Sequence, residues 1–285
     1  MAKKAPIPTQ PFSIEREYTR FLLLYQKKYE QLISESIRDQ LPILKAWAKP
    51  ETIEAISDQQ KRLDVDIPKS IANILEQIQK RLESAFPDAL LQRWIKRMMD
   101  RVYILSAKNQ AKHLEVFSKG KRTGKIEIGS LLLSNKKKLD PYFQNILDQN
   151  IQLIRSIPQS KIPALKNALT YAVTNDLSNR DIAKMIQKNF QATKNQARLI
   201  ARDQVGKLNG SLDQYQQEQI GVKKYIWRTM HDKAVRPDHD KLDGTVQRWD
   251  KPPIVDKKSG RRGHPKDDFQ CRCFAEAILD DVLDE

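Results

Sequence analysis

Both cysteines of the chain, Cys271 and Cys273, and one of its four histidines, His264, fall in the stretch HPKDDFQCRC at positions 264 to 273. Two thiols one residue apart can pack as small apolar groups, cycle as a redox pair, or supply half of a metal site. His231 and His239 lie shortly before them, interspersed with Asp232, Asp238, Asp240, Asp243 and Asp250. If CRCFAEAIL is a strand, its period of two turns both sulfurs to one face and Arg272 to the other. The two Cα atoms then stand about 6.5–7 Å apart, at the far limit of disulfide geometry. A third atom placed between the sulfurs would be reached more easily than either sulfur by the other. His239, His264, Cys271 and Cys273 together make a Cys₂His₂ set, the chemistry of a structural zinc site. The Cys-x-Cys spacing departs from the usual Cys-x-x-Cys knuckle. Metal-free buried thiols, with the histidines holding loops by hydrogen bonds, remain the alternative.

A catalytic use of the same residues fits less well. A metal-dependent nuclease, or another nucleic-acid enzyme, could use His239 as a general base. That class carries paired Cys-x-x-Cys motifs or a His-Asn-His register, and the sequence has neither. No phosphate-cradling glycine loop occurs along the chain. The residues point away from an enzyme, and no catalytic residue is assigned.

The elements that must position these side chains change character along the chain. From Ile14, the residues Tyr18, Phe21, Leu22, Tyr25, Tyr29, Leu32 and Ile33 recur at three- and four-residue steps, predicting an amphipathic helix that Pro42 should end or kink. Ile71, Ile74, Leu75, Ile78 and Leu82 mark a second helix. A long third is opened by Pro87, with Leu90, Leu91, Trp94, Ile95, Met98, Val102 and Leu105 facing inward. Residues 118–139 read as a basic loop or hairpin. Lys119, Lys121, Arg122, Lys125, Lys136, Lys137 and Lys138 make it the first candidate for contact with DNA, or simply a solvated loop. Helices resume from about residue 140. Ser178 followed by Asp181 predicts an N-cap, and Gly221 is placed to end the last helix. The aromatic and β-branched runs VKKYIWRTM, GTVQRWD and CRCFAEAIL then predict short strands. The expected fold is mainly α, with a helical N-terminal region followed by a small C-terminal α+β module. The expected division is 1–117, 118–139 and 140–285, with the His/Cys module at 225–280.

The chain has 285 residues and a formal net charge of +15, which favours polyanionic partners through counterion release. No run approaches the length of a spanning helix, and the start MAKKAPIPTQPFSIE lacks the apolar stretch of a secretory signal. Synthesis in the cytoplasm, without a membrane partner, is the expectation.

The ordered run of uncommon residues at the C-terminus carries more information than any one motif. YIWRTMHDKAVRPDHDKLDGTV, then DKPPIV, then GHPKDDFQCRCFAEAIL resembles the phage Mu F-like family, the minor head or head-morphogenesis proteins of tailed phages. Its family positions are Trp227, Arg228, Asp232, Val235, Arg236, His239, Leu242, Asp243, Gly244, Pro252, Pro253, His264, Pro265, Cys271, Arg272 and Cys273. The preceding helix departs from the pattern. The family's Ala-Arg-Thr-Glu step reads Ala201, Arg202, Asp203, Gln204, moving the acid by one position, roughly 100° around a helix. His231 has no counterpart to carry over. The resemblance covers about residues 140 to 280. It implies a structural component of the procapsid, present in few copies at the portal vertex or head interior of the virion. Its partners would be the portal protein, other capsid proteins and double-stranded DNA. The His/Cys cluster would then clasp a module too small to be held by its core alone.

Overall fold

The computed structural model describes residues 7–47, 66–117 and 140–278. The basic residues Lys119, Lys121, Arg122, Lys125, Lys136, Lys137 and Lys138 lie outside the described residues. The elements in chain order are α1 (Phe12–Trp47), α2 (Ile67–Ala85), α3 (Asp88–Phe117), α4 (Asp140–Gln159), α5 (Ile162–Thr174) and α6 (Asn179–Gln219). They are followed by β1 (Lys224–Arg228), the short α7 (Pro237–Asp240), β2 (Val246–Arg248), β3 (Ile254–Asp256), β4 (Arg261–Arg262) and β5 (Phe274–Ala277). The protein is mainly α with a small C-terminal α+β module. No helix among the described residues is long and apolar enough to cross a membrane.

The helices form where periodicity demanded. Every member of the α1 stripe from Ile14 to Ile33 is buried, as are Ile71, Ile74, Leu75, Ile78 and Leu82 on α2. Pro42 does not end α1, which continues to Trp47. In α3 the buried positions include Leu91, Ile95, Met98 and Val102. Leu90, Trp94 and Leu105 are only half-buried. Asp66 caps α2 by accepting from Lys69 N at 2.9 Å. Ser178 caps α6: its Oγ accepts from Asp181 N at 3.2 Å and donates to Asp181 Oδ2 at 2.7 Å. The stretches LSNRDIAKMIQKNF and TKNQARLIARDQVGKLNGSLDQYQQEQIG, read separately from sequence, form the single helix α6.

The chain groups into two compact units, each assembled from separate segments. The first comprises Met1–Tyr18, Trp94–Asp148 and Leu199–Glu285, and the second Thr19–Arg93 and Gln149–Arg198. In the second, α2 packs on α5, and Phe86 meets Tyr25 edge-on at 4.9 Å. Arg155 donates to the Phe86 carbonyl and to Asp88 Oδ1, both at 2.8 Å, closing the turn between α2 and α3.

The first unit holds the C-terminal module. Its sheet has the order β2-β1-β5, all antiparallel, with Tyr225 opposite Gln247 and Trp227 opposite Ala275. Alternation along β1 buries Tyr225 and Trp227, which join Trp249, Val255, Cys271 and Cys273 in one small core. A second hairpin pairs β3 with β4, an element the sequence reading did not include. Helices brace this module through buried polar contacts. His113 Nε2 lies 3.0 Å from the Ala277 carbonyl, and Gln217 donates to the Ala275 carbonyl at 3.1 Å while accepting from Trp249 Nε1 at 3.2 Å.

Candidate functional site

The cysteines sit one step before the sheet. β5 begins at Phe274, and Cys271 to Cys273 form the extended segment leading into it. The amide of Cys271 bonds to the Asp268 carbonyl at 3.0 Å, closing a turn that sets the direction of this approach. The sulfurs nonetheless point the same way. Cys271 Sγ lies 3.5 Å and Cys273 Sγ 3.6 Å from His239 Nδ1. All three residues are buried, and their donor atoms lie within 4.8 Å of one another. His239 is delivered by α7, whose first turn begins at Pro237. Its ring stands edge-on to the fully buried Trp227, at 5.5 Å and 79°. On the other side of the ring, Nε2 is 3.3 Å from Asp268 Oδ2. Asp268 in turn is held by Arg261 at 2.9 Å, with Arg236 at 3.7 Å. A hydrogen bond from Cys273 draws the Cys271 thiol well below its ordinary range, against the opposing effect of burial and with help from His239. That same bond to the Cys271 sulfur, together with burial, holds the Cys273 thiol far above its ordinary range.

Of the four ligands expected from sequence, the structure brings together His239, Cys271 and Cys273. His264 faces a different set of partners. Its Nδ1 lies 2.9 Å from the Tyr225 hydroxyl, and its ring stacks obliquely on Trp249 at 4.8 Å. Burial pushes its pKa below the usual histidine value, favouring a neutral ring that accepts from Tyr225. Its backbone amide donates to Asp267 Oδ2 at 2.7 Å, so the His-Pro turn is a cap within the core rather than a ligand arm.

The remaining motif residues brace one another. Arg228 Nε donates to Glu276 Oε2 across β1 and β5. Asp243 accepts from Thr229 N at 2.7 Å and from its hydroxyl at 3.2 Å. Gly244, with φ +75, adopts the left-handed turn that returns the chain to β2, its amide donating to the Trp227 carbonyl at 2.8 Å. Arg272 pairs with both oxygens of Asp232 at 2.5 and 2.6 Å. Arg236 donates to the Phe269 carbonyl at 2.5 Å. Pro265 lies against Gly210 of α6, where its carbonyl oxygen would be 2.9 Å from any added Cβ.

Four acidic or basic residues that sequence reasoning did not single out for a role complete the site. Asp268 backs His239. Asp203, the displaced acid, accepts from Gln270 N at 3.1 Å and pairs with Lys207 at 2.8 Å, fixing the residue just before Cys271. Asp213 and Lys266 form a buried ion pair at 3.4 Å, with Ser106 at 2.5 Å and Asn209 at 2.7 Å as further donors to the carboxylate. For Asp203 the usable signal was an acid on the apolar face of a helix. Asp268 had none beyond proximity to the cysteines.

Around the three donor atoms is a narrow recess lined by Met230, Ala234, Val235, Arg236, His239, Gln270, Cys271, Arg272 and Cys273.

Residues 164–276 match the family described as Phage Mu protein F like protein. The match spans α5, α6 and the whole of the His/Cys module up to β5. An uncharacterized protein of Haemophilus influenzae (strain ATCC 51907 / DSM 11121 / KW20 / Rd) is 34% identical over 168 residues, 59% of this chain. The chain spans 36% of the length of that relative. No solved structure matches.

Proposed function

We propose that the chain is a minor component of a tailed-phage head that acts in procapsid assembly at the portal vertex. The observation that carries this reading is the family match over residues 164–276. The side chains of that region support it: Arg228, Asp232, Arg236, Asp243, Arg272 and their partners are engaged in holding one another. Such use is what a structural module requires.

Residues 1–117 are the region proposed to meet the portal or other capsid proteins. The apolar stripe of α1 is buried within the chain itself, so the contact would fall on outward residues such as Leu24 and Ile43. The segment 118–139, bearing Lys136, Lys137 and Lys138, is proposed to touch packaged double-stranded DNA without sequence preference, consistent with the net charge of +15.

The test is made on heads of the phage that encodes the chain. Mass spectrometry of purified heads should find the chain in few copies beside the portal protein, and deleting its gene should lower the yield of DNA-filled heads. Heads that lack the chain and assemble normally without it would overturn the reading. Plasmid incubated with the purified chain and Mg²⁺ or Mn²⁺ should stay intact; cleavage abolished by His239→Ala would replace assembly with nuclease activity.

A further inference from the structure

We propose that His239 Nδ1, Cys271 Sγ and Cys273 Sγ bind one zinc ion, with the fourth position open to the recess. In a tetrahedral site, nitrogen lies about 2.0–2.1 Å and sulfur about 2.3 Å from zinc, which sets nitrogen and sulfur about 3.5–3.6 Å apart. The two observed separations are 3.5 and 3.6 Å. One ring nitrogen offers one proton or one lone pair, so a hydrogen bond here is shared between two sulfurs and weak, whereas an ion engages all three donors at full strength. Two sulfurs equidistant from the same nitrogen are the arrangement of ligands around a shared centre.

The surroundings agree with that assignment. Asp268 Oδ2 stands 3.3 Å from Nε2, and Nδ1 is the ring nitrogen that faces the sulfurs. Arg261 holds that carboxylate from behind at 2.9 Å. Thiolate and imidazole donors select a borderline-soft cation rather than magnesium or calcium. Among the described residues, His239, Cys271 and Cys273 are the group close enough to share an ion. His264 is committed to Tyr225 and Trp249, so water from the recess completes the coordination. Such an ion would tie α7 to the segment entering β5, coupling its affinity to folding of the module.

The test uses the full chain, made in zinc-supplemented medium and purified in the presence of a thiol reductant. Elemental analysis should find one zinc per chain. Cys271→Ser, Cys273→Ser and His239→Gln should each lose most of it, while His264→Gln keeps it. Because a ligand variant can fail by misfolding, the wild-type chain is also stripped and reloaded with cobalt. A thiolate-to-cobalt charge-transfer band with a tetrahedral ligand-field spectrum is expected. Zinc-free protein that takes up no cobalt after reduction overturns the proposal. So does zinc retained by His239→Gln, or lost in a folded His264→Gln. None of these outcomes depends on the role of the chain in the head.

Discussion

Gly210 offers a measurement that reads the seating of the module on α6. A Cβ at this position would stand 2.8 Å from Lys266 Cβ and 2.9 Å from the Pro265 carbonyl oxygen. Neither neighbour is the free end of a flexible chain. One is main chain, and the other is the root of a side chain whose backbone is already in the left-handed region, at φ +75. Relief must therefore come from moving the turn, which also strains the buried Lys266–Asp213 pair at 3.4 Å. Replacing glycine by alanine in a helix gains roughly 1 kcal/mol of propensity. Overpacking against a stiff neighbour costs about 1–3 kcal/mol, and loss of the ion-pair geometry adds to it. The expected net for Gly210→Ala is a loss of about 1–2 kcal/mol, or several degrees in Tm for a chain of this size. Gly206, one turn earlier on the same face, is the control. Its added Cβ would have the Cys271 carbonyl oxygen as nearest neighbour, at 3.9 Å, an ordinary contact. Gly206→Ala should then raise stability by about 0.5–1 kcal/mol. Thermal and urea unfolding followed by circular dichroism give both values. A Gly210→Ala variant as stable as Gly206→Ala would refute the close approach of the Pro265–Lys266 turn to α6.

Lys266→Met should destabilise by about 3 kcal/mol, because it leaves the Asp213 carboxylate buried without its cation; a double-mutant cycle with Asp213→Asn should recover part of that loss in urea titrations. Tyr225→Phe should cost about 1–2 kcal/mol by removing the hydroxyl that His264 Nδ1 faces, again read by urea unfolding. His264 and His113 both have pKa values lowered by burial from 6.5, so the unfolded chain takes up protons first as pH falls. The contribution of these two rings should therefore be constant above about pH 6.5 and decline below it, so the stability of His264→Gln should fall less steeply than wild type as pH drops below about 6.5; equal slopes for the two proteins would contradict the burial of this ring. Asp232→Ala removes a partly exposed pair and should cost under about 1 kcal/mol, measurable as a Tm change of a few degrees at most.

Periodicity alone determined the helical frame, because an apolar stripe repeating every three to four residues has only one face to bury. The eight residues from Ile14 to Ile33 follow that rule, and all are buried. Ser178 with Asp181 was likewise legible, since a capping residue and its partner are local in the chain. The order of Trp, Arg, Asp, His and Cys residues carried the resemblance to the phage Mu F-like family, whose model matches residues 164–276. Tertiary structure decided the rest. Local pattern cannot say whether a histidine turns toward a sulfur or a phenol; packing on Trp249 and Tyr225 took His264, while α7 delivered His239 to both cysteines. Pro42, expected to end or kink α1, does not end it. Asp203 was legible only as a displaced acid, and Asp213, Lys266 and Asp268 were mute in the sequence because charged residues are usually solvated. Only the return of the chain onto α6, over Gly210, buries them and gives each a partner.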